Sequence, residues 1–295
     1  MERLLTCPIC AKPDSLKSSG LTVPDHSLSK EAFTIDCCEA CALLFTNPRP
    51  AAEEIGVYYQ FPEYISHQDE APGLINKLYR VARKWTTNQK LALLDRVTPR
   101  AAPKTLLDYG CGTGYFLHAA KEAHWEVEGL EVSETARAAA SARTQQPVAA
   151  SLAAIPAEAR YQVITLWHVL EHIHDLNAVF ATLIGKLAPA GVMLVAVPNY
   201  NSVDAQFYGA AWAAYDVPRH LYHFSQKAIS VLAEQNGARV EATIPQPMDA
   251  FYISLLSAKY SGKNPIQGLF KGLYSNFKAA GSREFSSLIY VIKKQ

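Results

Sequence analysis

A chain of 295 residues is long enough to bury the core of one large domain and to carry small additions. A hydrophobic content of 49% and a formal net charge of +1 exclude a disordered chain and a protein that attracts polyanions over its whole surface. Residues 1–5 are too few and too charged for a signal peptide, and no apolar run approaches the roughly 20 residues of a membrane-spanning helix.

The first 50 residues are rich in cysteine. Cys7 and Cys10 form one C-x-x-C pair, and Cys38 and Cys41 form a second, so four thiolates can surround one ion. This pattern predicts a zinc ribbon over residues 1–50, with Zn²⁺ as a structural ion. Cys37 could compete as a ligand, and a chance group of reduced thiols is the alternative. Cysteines too few for a disulfide scaffold favour a reducing cytoplasm as the location.

The net charge of residues 1–50 indicates whether this ribbon could bind nucleic acid. Residues 1–50 contain five Lys or Arg against six Asp or Glu, whereas a module that follows phosphates should be clearly basic. The balance argues against nucleic acid as a partner. A metal that replaces the hydrophobic core of a small segment is the simpler interpretation.

Residues 51–100 are predicted to form a helical arm. Prolines at 48 and 50 break the chain before it, and residues 74–97 carry apolar side chains near helical spacing. Tyr58, Tyr59, Phe61 and Tyr64 form an aromatic group ahead of this helix. These rings could cover a bound ligand or could anchor the arm.

From residue 101 onward, strands and helices alternate. The alternation predicts an α/β domain over 101–295, with a Rossmann-like, doubly wound, mostly parallel seven-stranded sheet. The predicted strands are 105–109, 126–131, 147–150, 161–167, 191–197, 240–243 and 287–292. The predicted helices are 114–123, 133–143, 171–187, 225–236, 251–259 and 266–279. Ligands of such sheets lie at the carboxyl ends of the strands.

A glycine-rich turn follows the first strand of this domain. Asp108, Gly110, Gly112 and Gly114 alternate with other residues, and a helix follows, so backbone amides can hold a polar ligand. The dinucleotide fingerprint is not met, since Tyr115 stands where its third glycine belongs. Glu131 lies 23 residues after Asp108, at a distance that suits a ribose diol. A tight turn without a ligand is the alternative.

Two motifs carry a resemblance to a known family. The spacing D-x-G-x-G-x-G at 108–114 resembles motif I of the class I S-adenosylmethionine-dependent methyltransferases, and residues 163–172 (VITLWHVLEH) resemble the fourth-strand motif of their small-molecule members. The resemblance implies S-adenosyl-L-methionine as the cofactor, with Trp167 and His168 near its methionine part and Ser151 near its adenine. A structural histidine is the alternative for His168. The implied cofactor residues are Asp108, Gly110, Gly112, Gly114, Tyr115, Glu131, Val132, Ser151, Leu152, Trp167 and His168.

Residues 199–225 are predicted to be an insertion that binds the acceptor, because a long aromatic connection inside a compact domain is usually functional. Its end resembles the E-H-x-x-Y-F-S block of zinc-ribbon sugar C-methyltransferases, and this resemblance implies His220 as the general base. His168, Tyr222 and His223 are expected to position the acceptor. Arg219 replaces the glutamate of that block, and His223 stands where a tyrosine is common.

These features predict an enzyme that transfers a methyl group to a small or carrier-linked acceptor, such as a sugar or polysaccharide precursor. The alternatives are an RNA base methyltransferase guided by the ribbon and a non-catalytic protein that binds the cofactor. Residues 255–295 contain seven Lys or Arg against Glu284 alone. That basic region is either a solvated surface or a contact for an anionic acceptor or for a membrane as a peripheral partner.

Overall fold

The computed structural model describes residues 1–60 and 74–295, and over 74–82 it describes the backbone alone. Ten strands and eight α-helices are defined in these residues. The strands are β1 Leu16–Pro24, β2 Ala32–Cys38, β3 Leu43–Thr46, β4 Thr105–Tyr109, β5 Glu126–Leu130, β6 Tyr161–Trp167, β7 Leu187–Pro198, β8 Tyr222–His223, β9 Ala238–Pro245 and β10 Ser287–Lys294. The helices are α1 Leu74–Val97, α2 Tyr115–Glu122, α3 Glu134–Thr144, α4 Leu176–Gly185, α5 Val203–Tyr208, α6 Gln226–Gln235, α7 Pro247–Tyr260 and α8 Pro265–Ser282.

The central sheet has the strand order β5-β4-β6-β7-β10-β9. The first four of these strands are parallel, and β10 is antiparallel to both of its neighbours. Six of the seven residues of β6 are buried, which is typical of a strand covered on both faces. The predicted α/β fold with a mostly parallel sheet is therefore confirmed.

Over residues 1–60 and 74–295 the sheet contains six strands rather than the predicted seven. The predicted strand at 147–150 contributes a single parallel bridge, between Leu130 and Ala149. Val148 is buried against Leu117 and Ala140, and Ala149 alone bonds to the edge strand, through the Gly129 carbonyl and the Glu131 amide. The prediction of a full strand there is wrong.

The helices largely follow the predicted segments, and side chains mark several of their first turns. Ser133 and Ser225 accept hydrogen bonds from backbone amides three residues ahead and so cap α3 and α6. The segment predicted as one helix over 171–187 differs, because Leu170–His172 is a separate 3₁₀ turn and α4 begins at Leu176. The side chains of His172 and His174 bond to distant backbone carbonyls there, which fixes a turn ahead of the helix.

The N-terminal strands join a second sheet with the order β1-β2-β3-β8. Since β8 belongs to residues 199–225, the cysteine-rich segment and the predicted insertion share one sheet, with Leu44 opposite His223 and Phe45 opposite Tyr222. Apolar side chains of both sheets pack in one core. The proposed domain boundaries at 50 and 100 remain a prediction, and of the aromatic group Phe61 and Tyr64 lie outside the described residues.

Over residues 1–60 and 74–295, no helix is both long enough and apolar enough to cross a bilayer.

Candidate active site

The glycine turn after β4 is a tight loop fixed by its neighbours. Gly110, Gly112 and Gly114 all have positive φ, between 54° and 78°, which favours glycine. The amide of Gly110 donates to the Leu130 carbonyl at 2.7 Å. A Cβ on Gly110 would lie 2.5 Å from a methyl carbon of Val169, so the turn packs directly against the segment after β6.

Glu131 closes the same loop at the end of β5. Its carboxylate accepts from the Gly112 amide at 2.9 Å and from the Ser133 amide at 2.8 Å. A carboxylate has about four lone-pair sites, so two bonds leave acceptor capacity for a diol. Its own amide donates to the Ala149 carbonyl at 2.9 Å, which places Ser151 and Leu152 near this edge. Val132, the next residue, is largely exposed.

Asp108 is buried at the end of β4 and accepts a hydrogen bond from the Thr165 hydroxyl at 2.6 Å. Burial raises the pKa of Asp108 to about 6, against the opposing effects of Thr165 and Lys90. Lys90 of α1 places its ammonium 4.4 Å from the ring centroid of Trp167. Burial lowers the pKa of Lys90, while Asp108 and Asp249 act in the opposite direction. No sequence signal indicated Lys90 or Asp249 as site residues.

Two aromatic side chains border the turn. Trp167 packs edge-on against Phe116, and its buried indole nitrogen has no hydrogen-bond partner among the described residues. Tyr115 lies under the guanidinium groups of Arg83 and Arg143, at 3.7 and 3.6 Å from its ring centroid. Arg stacking thus occupies Tyr115, whereas Trp167 presents an unused donor.

His168 is held between two carboxylates just beyond β6. Its Nε2 lies 3.1 Å from Asp249, its Nδ1 lies 3.6 Å from Glu171, and its φ is 57°. Burial alone would lower the pKa of His168, but the carboxylates of Asp249 and Glu171 raise it to about 10. The two carboxylates therefore favour the protonated form of His168, which suits a positioning role.

Glu171 is fully buried, and neither of its carboxylate oxygens has a hydrogen-bond partner among residues 1–60 and 74–295. Burial alone would raise the pKa of Glu171, but His168, His220 and His172 around it lower the value to about 2. A buried carboxylate without a donor is costly unless a ligand completes it. The glutamate of the L-E-H motif thus points to a binding site that the sequence analysis missed.

His220 faces this carboxylate. Its Nδ1 lies 2.8 Å from the Ala214 carbonyl and donates to it, so Nε2 carries the lone pair. That Nε2 lies 4.0 Å from Glu171 Oε1, and the side chain is 12% exposed. Thr46 of β3 donates its hydroxyl to the His220 carbonyl at 2.9 Å. The second sheet, which contains β3, therefore holds the backbone of this histidine.

His172 completes the cluster. Its ring contacts that of His220 edge-on at 4.7 Å, and its Nδ1 lies 3.0 Å from the Arg219 carbonyl. Burial, followed by the nearby His220, lowers the pKa of His172 to about 4. The ligand atoms of Glu171, His172 and His220 lie within 4.8 Å of one another, so this set could also hold a metal ion.

Tyr222 and His223 occupy the scaffold rather than the opening of the site. The Tyr222 hydroxyl accepts from Arg49 and donates to the His174 carbonyl, both at 2.8 Å, so it has no hydrogen left for an acceptor. His223 is buried with Nε2 3.4 Å from the Thr46 hydroxyl, and burial, aided by the nearby His220, lowers its pKa to about 3. The expected contact of Tyr222 with an acceptor does not fit this geometry, because β8 pairing turns the side chain inward.

Arg219, which replaces the glutamate of the resembled block, holds the loop in place. Its buried guanidinium bonds to Asp216 at 2.6 Å and to Asp25 of the ribbon at 2.9 Å. The amide of His220 in turn donates to the Asp216 carbonyl at 3.0 Å. Arg219 therefore links the N-terminal segment to the backbone that carries His220.

This buried ion pair predicts an acid-dependent stability. Burial would raise the pKa of Asp25, but Arg219 and backbone amides lower it from 3.8 to about 2. The resulting stabilisation, about 2 kcal/mol, is present above pH 4 and is lost as the pH falls toward 2. We expect Asp25→Asn to lower the free energy of unfolding by at least that amount at pH 7, and the difference from wild type to shrink with acid in urea titrations. The exposed Asp14→Asn is the control, and a pH-independent difference would contradict the assignment.

The four predicted zinc ligands lie together. The sulfur atoms of Cys7 and Cys41, and those of Cys10 and Cys38, are 3.5 Å apart, and all four lie within 4.8 Å of one another. Tetrahedral zinc with bonds of about 2.3 Å needs sulfur separations of about 3.8 Å, so the set fits the ion closely. Cys37 does not belong to this group.

The sheet, the glycine turn and the residues at the strand ends define a Rossmann-like methyltransferase class. The chain belongs to the methyltransferase domain family, whose model matches residues 80–243. The fold is shared with the crystal structure of magnesium protoporphyrin IX methyltransferase from Synechocystis with bound S-adenosylhomocysteine, at a TM-score of 0.53 and 15% identity, over 81% of this chain and 97% of that one.

Two curated relatives show similarity in sequence. A probable S-adenosylmethionine-dependent methyltransferase of Mycolicibacterium smegmatis is 27% identical over 179 residues, which cover 59% of this chain and 64% of that protein. A ubiquinone biosynthesis O-methyltransferase of Rhodopseudomonas palustris is 24% identical over 149 residues, or 48% and 59% of the two lengths. The chain thus spans less than two thirds of the length of these relatives.

Proposed function

We propose that this protein transfers a methyl group from S-adenosyl-L-methionine to a small or carrier-linked acceptor, with a sugar or polysaccharide precursor as the acceptor class. One observation carries the proposal: the glycine turn packs on Val169, which lies between His168 and Glu171, and Glu171 faces His220. Residues 199–225 thus approach the turn that would hold the cofactor. The names of the relatives support the cofactor and the reaction class.

The cofactor would be held along the carboxyl ends of β4, β5 and β6. Glu131 would bind the ribose, the amides of the glycine turn would approach the methionine part, and Ser151 and Leu152 would border the adenine. Asp108 and Lys90 would supply opposite charges for the amino acid end. When bound, the cofactor supplies an electrophilic methyl group on a sulfonium.

The acceptor would lie between His220 and the turn. Its hydroxyl or amine would donate to Nε2 of His220, and His220 would take up the proton that the acceptor loses on methylation, with the demethylated cofactor leaving as a neutral thioether. The carboxylate of Glu171, at 4.0 Å, stabilises the imidazolium so formed. His168 adds a fixed positive charge on the other side of Glu171. Alignment and proton removal are what the protein must provide.

Calorimetry followed by a turnover assay tests this function. We expect heat on titration with S-adenosyl-L-methionine, and radioactive methyl transfer to one class within a panel of nucleotide sugars, lipid-linked sugars and RNA. Transfer to RNA that weakens with salt would favour the RNA methyltransferase. Cofactor binding without transfer to any acceptor would favour the non-catalytic protein, and the absence of heat would end the proposal.

The ribose contact makes a separate prediction. We expect Glu131→Ala to weaken cofactor binding by about 10- to 100-fold, because it removes a charged acceptor worth about 1.5–3 kcal/mol and frees the Gly112 amide. Calorimetry measures the change. Glu134→Ala, which removes an exposed carboxylate of the following helix, is the matched control. Equal affinities of wild type and Glu131→Ala would remove Glu131 from the site.

We also propose that Cys7, Cys10, Cys38 and Cys41 bind one structural Zn²⁺. The fit of the sulfur separations to a tetrahedral ion supports this assignment. The ion would fix the knuckles that precede β1 and β3, and β3 in turn contacts the His220 backbone through Thr46.

A further inference from the structure

The C-terminal helices α7 and α8 pack with their backbones close together. The buried residues of α8 are small, namely Gly268, Gly272, Ser275 and Ala279, and the two glycines lie against α7. A Cβ on Gly268 would lie 2.6 Å from the Ser254 carbonyl oxygen, and one on Gly272 would lie 2.7 Å from that of Ala250. The close approach of the two backbones therefore requires glycine, and the larger side chains of α8 must point elsewhere.

Those larger side chains form one exposed stripe. Phe270 is 69% exposed and Phe277 is 75% exposed, and the other exposed apolar residues of the helix lie at three- and four-residue steps around them. The stripe, hereafter the apolar face, consists of Ile266, Leu269, Phe270, Leu273, Tyr274 and Phe277. A water-exposed surface of this kind marks a place where another surface binds.

Lysines flank the apolar face. The ammonium of Lys271 lies 3.5 Å from the Phe207 ring centroid and 4.9 Å from that of Tyr274, and Lys278 lies 5.6 Å from Tyr274. Lys263 also contacts Phe207, at 4.4 Å. Helix α8 itself contains no acidic residue. Bulky apolar side chains rimmed by lysine are typical of helices that lie in the interface of an anionic membrane.

The surface extends toward the candidate active site. Phe207, which is exposed, belongs to α5 within residues 199–225. On α7, exposed Met248 and Tyr252 flank Asp249, the carboxylate that contacts His168. Lys271 therefore links the apolar face to Phe207 of residues 199–225, and α7, which packs on α8, carries Asp249.

We propose that the apolar face docks on an anionic phospholipid bilayer. A second copy of the chain fits less well. A two-fold contact would bring the lysines of one apolar face against those of the other, and α8 has no acidic residue to neutralise them. Anionic head groups neutralise those lysines while the phenylalanines enter the acyl boundary. The docking would hold the active site beside the bilayer, and it does not depend on the methyl transfer proposed above.

Vesicle co-sedimentation of the full chain tests the docking. We expect binding to vesicles of phosphatidylcholine with phosphatidylglycerol, weaker binding to phosphatidylcholine alone, and release by salt. The double variant Phe270→Ser/Phe277→Ser should have a partition coefficient lower by at least about tenfold. The double variant Lys271→Glu/Lys278→Glu should no longer prefer the anionic lipid. Leu5→Ser, an equally exposed apolar site on the N-terminal segment, is the matched control.

Three outcomes would overturn the proposal. These are the absence of binding to either vesicle, equal binding to both, or unchanged binding in both double variants. Light scattering is measured in parallel, and a concentration-dependent dimer that fails to bind vesicles would assign the face to a second copy. Phe270, Phe277, Lys278 and Leu5 are exposed and Lys271 is half-buried, so circular dichroism and the melting temperature should stay close to those of wild type.

Discussion

His220→Ala is expected to reduce kcat for methyl transfer by about 10²- to 10⁴-fold, the range that a general base contributes, while leaving the dissociation constant of the cofactor unchanged. The expectation follows from the Nε2 lone pair, which the Nδ1 bond to Ala214 fixes in place and which faces Glu171 at 4.0 Å. Single-turnover transfer measures the rate, and calorimetry measures the affinity. His124→Asn, an exposed residue just before β5 and so at the amino ends of the parallel strands, is the control.

Two results would contradict this role. Equal turnover in wild type and His220→Ala would remove the base from His220. A second metal equivalent that disappears in His220→Ala and in Glu171→Gln would instead make His220 a metal ligand, together with Glu171 and His172. Elemental analysis of the three proteins distinguishes these cases, because the cysteine site should retain its single equivalent in all of them.

Cys38→Ser is expected to lose that zinc equivalent and to lower the melting temperature by roughly 10 °C, since a structural zinc site contributes several kcal/mol to folding. Cys38 is fully buried, and its neighbours Leu43 and Phe45 pack in the same core as the central sheet. Elemental analysis and thermal unfolding measure the two effects. Cys37→Ser is the matched control, because Cys37 is adjacent to Cys38 in the chain but its thiol lies outside the four-sulfur group.

Loss of zinc should also lower activity, through the backbone contacts that join the ribbon to the site. Thr46 of β3 bonds to the His220 carbonyl, and Asp25 bonds to Arg219. A Cys38→Ser protein with full zinc content would contradict the ligand assignment. One that lost its zinc but kept the wild-type rate would separate the ribbon from the site.

The sequence predicted the features that depend on local chemistry. The glycine turn could be identified because positive φ at 110, 112 and 114 demands glycine, and its position after an apolar run placed it at a strand end. The cysteine pairs could be identified because two residues of separation suit one ion. Strand and helix alternation gave the sheet, although the edge segment at 147–150 had too few partners to form a full strand.

The sequence did not indicate partners that are distant in the chain. Tyr222 resembles an acceptor contact by sequence, but Arg49, 173 residues away, occupies its hydroxyl. In the sequence, Arg219 replaces the glutamate of the resembled block. In the structure, it pairs with Asp25, which is 194 residues away in the chain. His168 was expected to position the acceptor, and the structure places it between Asp249 and Glu171, which are 81 and three residues away in the chain.

The sequence by itself determined the α/β class, the glycine turn, the cysteine group and the segment that carries His220, because each depends on the preferences of neighbouring residues. Only the tertiary structure decided that Glu171 is buried without a donor, that Lys90 and Asp249 enter the site, and that α8 turns its bulky side chains to solvent. The reason is physical: spacing along the chain sets local geometry, whereas charge, burial and exposure depend on side chains that only folding brings together.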